Sequence, residues 1–171
     1  MNEKLINNIE SGLRLIGDKI QSWREDEDSR AILEPKAFKT KADIEANKLI
    51  KSLLIDLDPN VEIISEEDPS FNNERPQKYW LIDPIDGTAS WYDGFDGFVT
   101  QVAYIENDIS VYGAIYAPVL GKFWSGKKGE GAFLNGEKLP KLKSLPRLNL
   151  IDNYPEPKRV AKTIFDNLEV A

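Results

Sequence analysis

A short segment in the middle of the chain combines residue types that could hold a hard metal ion beside an anion. The apolar run Trp80-Leu81-Ile82 ends at Asp83, and Asp86 presents a second carboxylate three residues later. Gly87 and Thr88 then open a predicted helical turn, whose free N–H groups and positive dipole end suit a phosphate. Hard cations such as Mg²⁺ prefer oxygen ligands and retain several waters. The segment is therefore typical of a site where metal ions bind a phosphate.

An ordinary turn is the alternative interpretation, because Asp, Pro and Gly are common in turns for local reasons. Two further acidic segments favour a functional site. Glu66 and Glu67 follow another apolar strand, Ile63-Ile64-Ser65, and Asp43 lies at the start of a predicted helix. Taken alone, Asp43 is most simply interpreted as a helix-capping residue, and the two glutamates as part of a solvated loop. Their combination with the central segment predicts a shared acidic site.

The chain contains no histidine and no cysteine. These absences exclude Ser-His-Asp and Cys-His catalysis, His-coordinated zinc, iron–sulfur ligation and disulfides within the chain. Hydrolytic chemistry must then depend on carboxylates, hydroxyls, lysines, water and hard metal ions.

The charge balance predicts which partners are absent. The chain has 22 Lys and Arg against 29 Asp and Glu, a formal net charge of -7 and a pI of about 4.8. This excess of acid argues against nucleic acid or an anionic membrane as a partner. No apolar run reaches transmembrane length, and the start Met1-Asn2-Glu3-Lys4 lacks a signal-peptide core. We expect a soluble, cytoplasmic protein.

Two helices and a series of strands must position the acidic residues. An apolar stripe from Ile6 to Trp23 recurs at three- and four-residue steps and predicts an amphipathic helix. A second helix is predicted over Ala42–Leu57, ended by Asp58-Pro59-Asn60. Predicted strands follow at Val61–Ser65, Tyr79–Asp83, Phe98–Tyr104, Ser110–Tyr116 and Lys122–Ser125, with a hairpin at Ala132–Leu139 turning on Asn135-Gly136.

This order of elements predicts an α+β fold in which two N-terminal helices pack on a mostly antiparallel sheet. Residues 1–139 form the predicted metal- and phosphate-binding domain. After Leu139 four prolines interrupt the chain, with one strand expected at Leu148–Ile151 and one helix at Lys158–Leu168. We interpret residues 140–171 as a linker and the incomplete start of a second, truncated α/β domain.

Several motifs together resemble those of the inositol monophosphatase superfamily, the Mg²⁺-dependent, lithium-sensitive phosphomonoesterases. The segment Asp83-Pro84-Ile85-Asp86-Gly87-Thr88 matches the family signature. Ser65-Glu66-Glu67 is similar to the family's Gly-Glu-Glu element, and Lys41-Ala42-Asp43 to its upstream aspartate element. Tyr116-Ala117-Pro118 and the glycine-rich stretch 129–136 resemble the later strand and hairpin. The resemblance extends to about Leu139 and implies a sugar-phosphatase-like layered fold.

The resemblance also implies a ligand set for two Mg²⁺ ions. Glu66, Asp83 and the backbone carbonyl of Ile85 would hold the first, tighter ion. Asp83 and Asp86 would bind the second, with Asp83 bridging the two. Paired ions of this kind activate water and neutralise charge on the attacking and leaving oxygens.

The resemblance assigns the remaining roles to four residues. Gly87 and Thr88 would present backbone N–H groups to the phosphate of a small phosphorylated substrate. The Thr88 hydroxyl and Asp43 would orient and deprotonate a metal-bound water, with help from Glu67. The implied reaction is hydrolysis of a phosphate monoester of the inositol monophosphate type.

The chain departs from the family in one respect that bears on activity. Family members carry a second domain with a Trp-Asp element, whose aspartate also binds the second ion, and no Trp-Asp dipeptide occurs in these 171 residues. We therefore expect weaker binding of the second ion. A 3'(2'),5'-bisphosphate nucleotidase and a catalytically weak or inactive metal- or phosphate-binding remnant are the alternative functions. A homodimer is the family expectation where the second domain is present.

Overall fold

The computed structural model describes residues 2–34, 38–68 and 75–141. The chain divides into two units, Met1–Leu139 and Pro140–Ala171. The strand and helix predicted at Leu148–Ile151 and Lys158–Leu168 lie outside the described residues, so the proposed second domain stays a prediction. None of the helices in the described part is long and apolar enough to cross a membrane.

Helix α1, Glu3–Ser22, begins where the Asn2 side chain accepts a 2.8 Å hydrogen bond from the Leu5 N–H. A 3-10 turn, Trp23–Glu25, follows it. Helix α2, Lys41–Leu57, has a capping box formed by Thr40 and Asp43. Both helices bury one apolar face, and the fully buried residues include Ile9, Leu13, Ile20, Ala46, Ile50 and Leu54.

The main sheet has seven strands, which pair in chain order. They are β3 Glu62–Ser65, β4 Lys78–Asp86, β5 Val99–Glu106, β6 Ile109–Ala117, β7 Lys122–Lys127, β8 Gly131–Leu134 and β9 Glu137–Lys138. Only the β3–β4 pair in this sheet is parallel. Two strands that the sequence analysis did not predict, β1 Ile32–Glu34 and β2 Lys39–Thr40, form a separate ribbon. The predicted α+β fold with a mostly antiparallel sheet is confirmed.

The core lies between the two long helices and one face of this sheet. Trp80 and Trp91 are fully buried there. Trp91 belongs to the short helix α3, Thr88–Asp93, and its indole N–H donates a 2.9 Å hydrogen bond to the carbonyl of Ile20 in α1. This bond ties α3, which begins at the predicted phosphate site, to the first helix.

Strand β4 continues past Asp83, where the sequence analysis ended it, to Asp86. Asp83 pairs with Gln101 and Asp86 with Val99, so β4 has one residue more than β5 in this interval. This extra residue is a β-bulge, and Pro84 within it has no N–H to donate to the ladder. In a regular strand, side chains three residues apart point to opposite faces. The bulge is what allows Asp83 and Asp86 to face one neighbour.

Candidate active site

The carboxylates of Asp83 and Asp86 both meet the side chain of Gln101 from the neighbouring strand. The Gln101 amide nitrogen donates to Asp83 Oδ2 at 3.3 Å and to Asp86 Oδ2 at 3.0 Å. Asp83 is half-buried and Asp86 is exposed. The structure therefore brings the two predicted metal ligands of β4 together at the end of that strand.

Asp83 is in an environment that disfavours its charge. Burial and then the neighbouring charge of Glu66 raise the pKa of Asp83 to about 7, with the Asp86 charge adding to the effect. Its Oδ1 atom is buried and has no hydrogen-bond partner within the described part of the chain. A buried acceptor without a partner is costly. A cation at this oxygen would remove that cost.

The turn after β3 places Glu66 and Glu67 next to this pair. Glu66 is exposed, whereas the Glu67 side chain is only 6% exposed and forms an ion pair of 2.5 Å with Lys39. Burial raises the pKa of Glu67, although the hydrogen bond from Lys39 opposes the shift. Lys51 of α2 forms an ion pair with Asp68 on the same turn, with 2.5 Å between Lys51 Nζ and Asp68 Oδ1. Two lysines of the β2–α2 region thus anchor the turn that carries the glutamates.

Asp43 accepts hydrogen bonds on both of its carboxylate oxygens. The N–H and hydroxyl of Thr40 donate to Oδ2 at 2.7 and 2.5 Å, and the Thr88 hydroxyl lies 2.9 Å from Oδ1. The same hydroxyl lies 3.0 Å from the carbonyl oxygen of Ile85. Asp43 is therefore both a member of the α2 capping box and a partner of the predicted catalytic threonine.

Gly87 adopts the left-handed conformation, with φ of 89°, at the start of α3. A Cβ at this position would lie 3.2 Å from the carbonyl oxygen of Gly97. Other residue types would strain the backbone here both by conformation and by contact. Glycine is therefore needed for the turn that directs Thr88 toward Asp43.

Two cavities meet at Glu66. The smaller, of about 350 Å³, is lined by Glu34, Phe38, Lys39, Asp43, Glu66, Glu67, Asp68 and Thr88. The larger, of about 900 Å³, runs over the sheet and includes Glu66, Asp83 and Gln101 in its lining. The predicted site residues thus fall into two groups, one around Asp43 and Thr88 and one around Asp83 and Asp86, with Glu66 between them.

The donor set fits a hard cation, although in residues 2–34, 38–68 and 75–141 no three acidic side chains already converge as a complete ligand cluster. The side-chain atoms that could bind the ion are all carboxylate oxygens, the ligand type that Mg²⁺ prefers. Mg²⁺ commonly takes only one or two carboxylates and completes its coordination shell with water. The unpartnered Oδ1 of Asp83 is the clearest position for such an ion.

A family model for the inositol monophosphatase family matches residues 5–162, which is most of the chain. The chain belongs to that family.

Individual relatives agree with this assignment. A fructose-1,6-bisphosphatase/inositol-1-monophosphatase of Aquifex aeolicus is 29% identical over 136 residues, 78% of this chain and 51% of that protein. A 3'(2'),5'-bisphosphate nucleotidase of Escherichia coli is 38% identical over 93 residues, 53% of this chain and 38% of that protein. The structure of an IMPase from Thermotoga maritima superposes with a TM-score of 0.69 at 30% identity, covering 81% of this chain and 53% of that one. The chain spans about half the length of such relatives.

Two residues of this inositol monophosphatase family site were missed by the sequence analysis. Gln101 lies on β5 directly across from Asp83, and only the strand register brings it there. Lys39 lies one residue before the N-cap of α2 and contacts a glutamate 28 residues away. A predicted pairing of β4 with β5 would have identified Gln101, whereas no local signal identifies Lys39.

Proposed function

We propose that this family member hydrolyses a small phosphate monoester, such as an inositol monophosphate, with Mg²⁺ as its cofactor. The observation that carries the proposal is the hydrogen bond between Thr88 and Asp43, formed beside the facing carboxylates of Asp83 and Asp86. Membership of the inositol monophosphatase family supports phosphatase chemistry in general. The choice of substrate and the activity of this chain belong to the proposal.

Four groups would hold the cations: the carboxylates of Glu66, Asp83 and Asp86 and the carbonyl of Ile85. Bound Mg²⁺ would lower the pKa of water and neutralise charge on the phosphate oxygens. Among these groups, the unpartnered Oδ1 of Asp83 provides the strongest support for an ion.

The protein's own groups would bind the phosphate and activate the attacking water. Gly87 and Thr88 would offer backbone N–H groups to the phosphate at the start of α3. The Thr88 hydroxyl would orient the water, and Asp43 would accept the proton through it, because the two side chains already share a hydrogen bond of 2.9 Å. Glu67, whose side chain is only 6% exposed, would assist from the neighbouring turn. No covalent nucleophile is required for this chemistry.

A 3'(2'),5'-bisphosphate nucleotidase is the second candidate, because the Escherichia coli enzyme of that name is 38% identical over 93 residues. A weak or inactive metal- or phosphate-binding remnant is the third candidate, and these 171 residues contain no Trp-Asp dipeptide. A cytoplasmic location and, with a second domain present, a homodimer remain predictions of the sequence analysis.

The test is phosphate release by the purified chain from inositol-1-phosphate and from adenosine 3',5'-bisphosphate. Each substrate is assayed with Mg²⁺, with and without Li⁺, against a D86N control. Lithium-sensitive turnover that D86N abolishes is the expected result, and the faster substrate identifies the activity. Turnover equal to that of D86N, from a folded sample, would contradict the proposal that this chain alone is the enzyme, and its site would then be half of one.

A further inference from the structure

We propose that Gln101 is a positioning residue of the cation site. Its amide would hold Asp83 and Asp86 by one oxygen each and leave their other oxygens free for a divalent cation. The proposal rests on the proposed function, because it concerns the same pair of carboxylates.

The contacts of Gln101 have the geometry that this role requires. Its amide nitrogen lies 3.3 Å from Asp83 Oδ2 and 3.0 Å from Asp86 Oδ2. An amide NH₂ group carries two N–H bonds, so it can donate to both carboxylates at once. Ionised carboxylates only accept hydrogen bonds, so they select the nitrogen end of the amide and not its oxygen. One neutral side chain thus holds two carboxylates side by side.

Gln101 also determines which oxygen of Asp83 stays free. A carboxylate can turn about its Cβ–Cγ bond and exchange its two oxygens. With Oδ2 held by Gln101, it is Oδ1 that is left buried and without a partner in the part of the chain described. The free acceptor is then fixed in direction, as a cation ligand must be.

The backbone makes Gln101 a rigid support. Its Cα pairs with that of Asp83 across β4 and β5, and the bulge between Asp83 and Asp86 turns the second carboxylate toward the same amide. A side chain that donates a hydrogen bond to a metal-binding carboxylate fixes the orientation of that carboxylate. Removing such a side chain commonly weakens metal binding about 10- to 100-fold. Gln101 has this relation to two carboxylates at once.

The test is calorimetric titration of Mg²⁺ into the purified chain. Q101M keeps the length of the side chain but donates no hydrogen bond, and we expect it to bind Mg²⁺ about tenfold more weakly than the wild-type chain. Q101N keeps the amide but is one methylene shorter, so it reaches one carboxylate and should give an intermediate affinity. T100V is the matched control, because Thr100 precedes Gln101 on β5 and its side chain is buried on the opposite face.

Q101M that binds Mg²⁺ as tightly as T100V would overturn the proposal. Tighter binding would overturn it too, because the amide would then compete with the cation. D86N separates this failure from that of the proposed function. If the wild-type chain binds Mg²⁺ no better than D86N, both proposals fail. If D86N binds Mg²⁺ more weakly than the wild-type chain but Q101M does not, only the role of Gln101 is refuted. Should Q101M fail to fold, Q101N against T100V decides the question.

Discussion

The Thr88 hydroxyl lies 2.9 Å from Asp43 Oδ1, joining residues that are 45 positions apart in the chain. Asp43 is fixed at the start of α2 by Thr40, and Thr88 is fixed at the start of α3 by the turn at Gly87. The starts of two helices therefore meet at one hydrogen bond. A hydroxyl held in this way is oriented before any substrate arrives, which favours a role in directing water.

Removing the Thr88 hydroxyl should lower turnover far more than cation affinity. T88A should reduce kcat by about a hundredfold, within the range expected for loss of a proton-transfer partner, because the water would lose its orienting hydroxyl. T88S keeps the hydroxyl and should retain most of the activity. The measurements are the rate of phosphate release and Mg²⁺ titration of each variant. Equal losses of turnover and cation affinity in T88A would instead make the hydroxyl a ligand.

The double variant T88A/D43N tests whether the two residues act as one unit. Groups that share one function give non-additive losses. We expect the double variant to be little slower than T88A alone. Losses that multiply would show that Asp43 and Thr88 contribute separately, with Asp43 acting chiefly in the capping box of α2.

The raised pKa of Asp83 predicts how the stability of the cation-free protein depends on pH. Asp83 has a pKa of about 7 in the folded chain, against 3.8 for an ordinary aspartate in water. Between these values the folded state retains a proton that the unfolded state has lost. The free energy of unfolding should therefore fall as pH rises from about 4 to about 7 and then level off. Glu67, whose pKa is also raised, adds to the slope in the same direction.

Urea unfolding in EDTA across this pH range measures the effect. D83N should reduce the slope and raise the stability near neutral pH, because it removes the burial of an ionised carboxylate. D56N, at an exposed position of α2, is the control and should leave the slope unchanged. Identical slopes for D83N and D56N would refute the assignment to Asp83.

The ion pair between Lys39 and Glu67 should contribute to stability because both side chains are largely removed from water, at 17% and 6% exposure. K39M leaves the Glu67 carboxylate without its counter-charge and should lower the free energy of unfolding by about 3 kcal/mol. K48M breaks an exposed ion pair with Glu45 and should cost less than about 1 kcal/mol. Urea denaturation compares the two variants. A restored stability in K39M/E67Q would identify the unpaired carboxylate as the cause, whereas an equal cost in K39M and K48M would contradict it.

The sequence predicted the elements well because each one carries its own local signal. The apolar stripe of α1, the capping position of α2 and the Asn135-Gly136 turn are all local patterns, and the structure confirms an element at each. The strand starting near Tyr79 was also found, but its end was placed too early, at Asp83. A bulge at Pro84 depends on the partner strand, which the sequence alone does not display.

The residues of the candidate site also divide into those with a local sequence signal and those placed only by the fold. Asp43, Asp83, Asp86 and Thr88 stand out by residue type and motif, and the structure brings them into two neighbouring groups. Gln101 and Lys39 are common residue types with no motif of their own. Gln101 acquires its place from the register of β5, and Lys39 from the packing of the Glu66–Glu67 turn against β2. Both are long-range consequences of the fold.

The hydrogen bond from Trp91 to Ile20 should support both stability and the placement of Thr88. W91F keeps most of the buried ring but removes the indole N–H that donates to the Ile20 carbonyl at 2.9 Å. Loss of a buried hydrogen bond of this kind should lower the free energy of unfolding by about 1–3 kcal/mol. W23F makes the same change at a half-buried ring and serves as the control. Because α3 carries Thr88 at its start and Trp91 one turn later, W91F should also slow turnover. Equal stability of W91F and W23F would show that this bond does not anchor the helix.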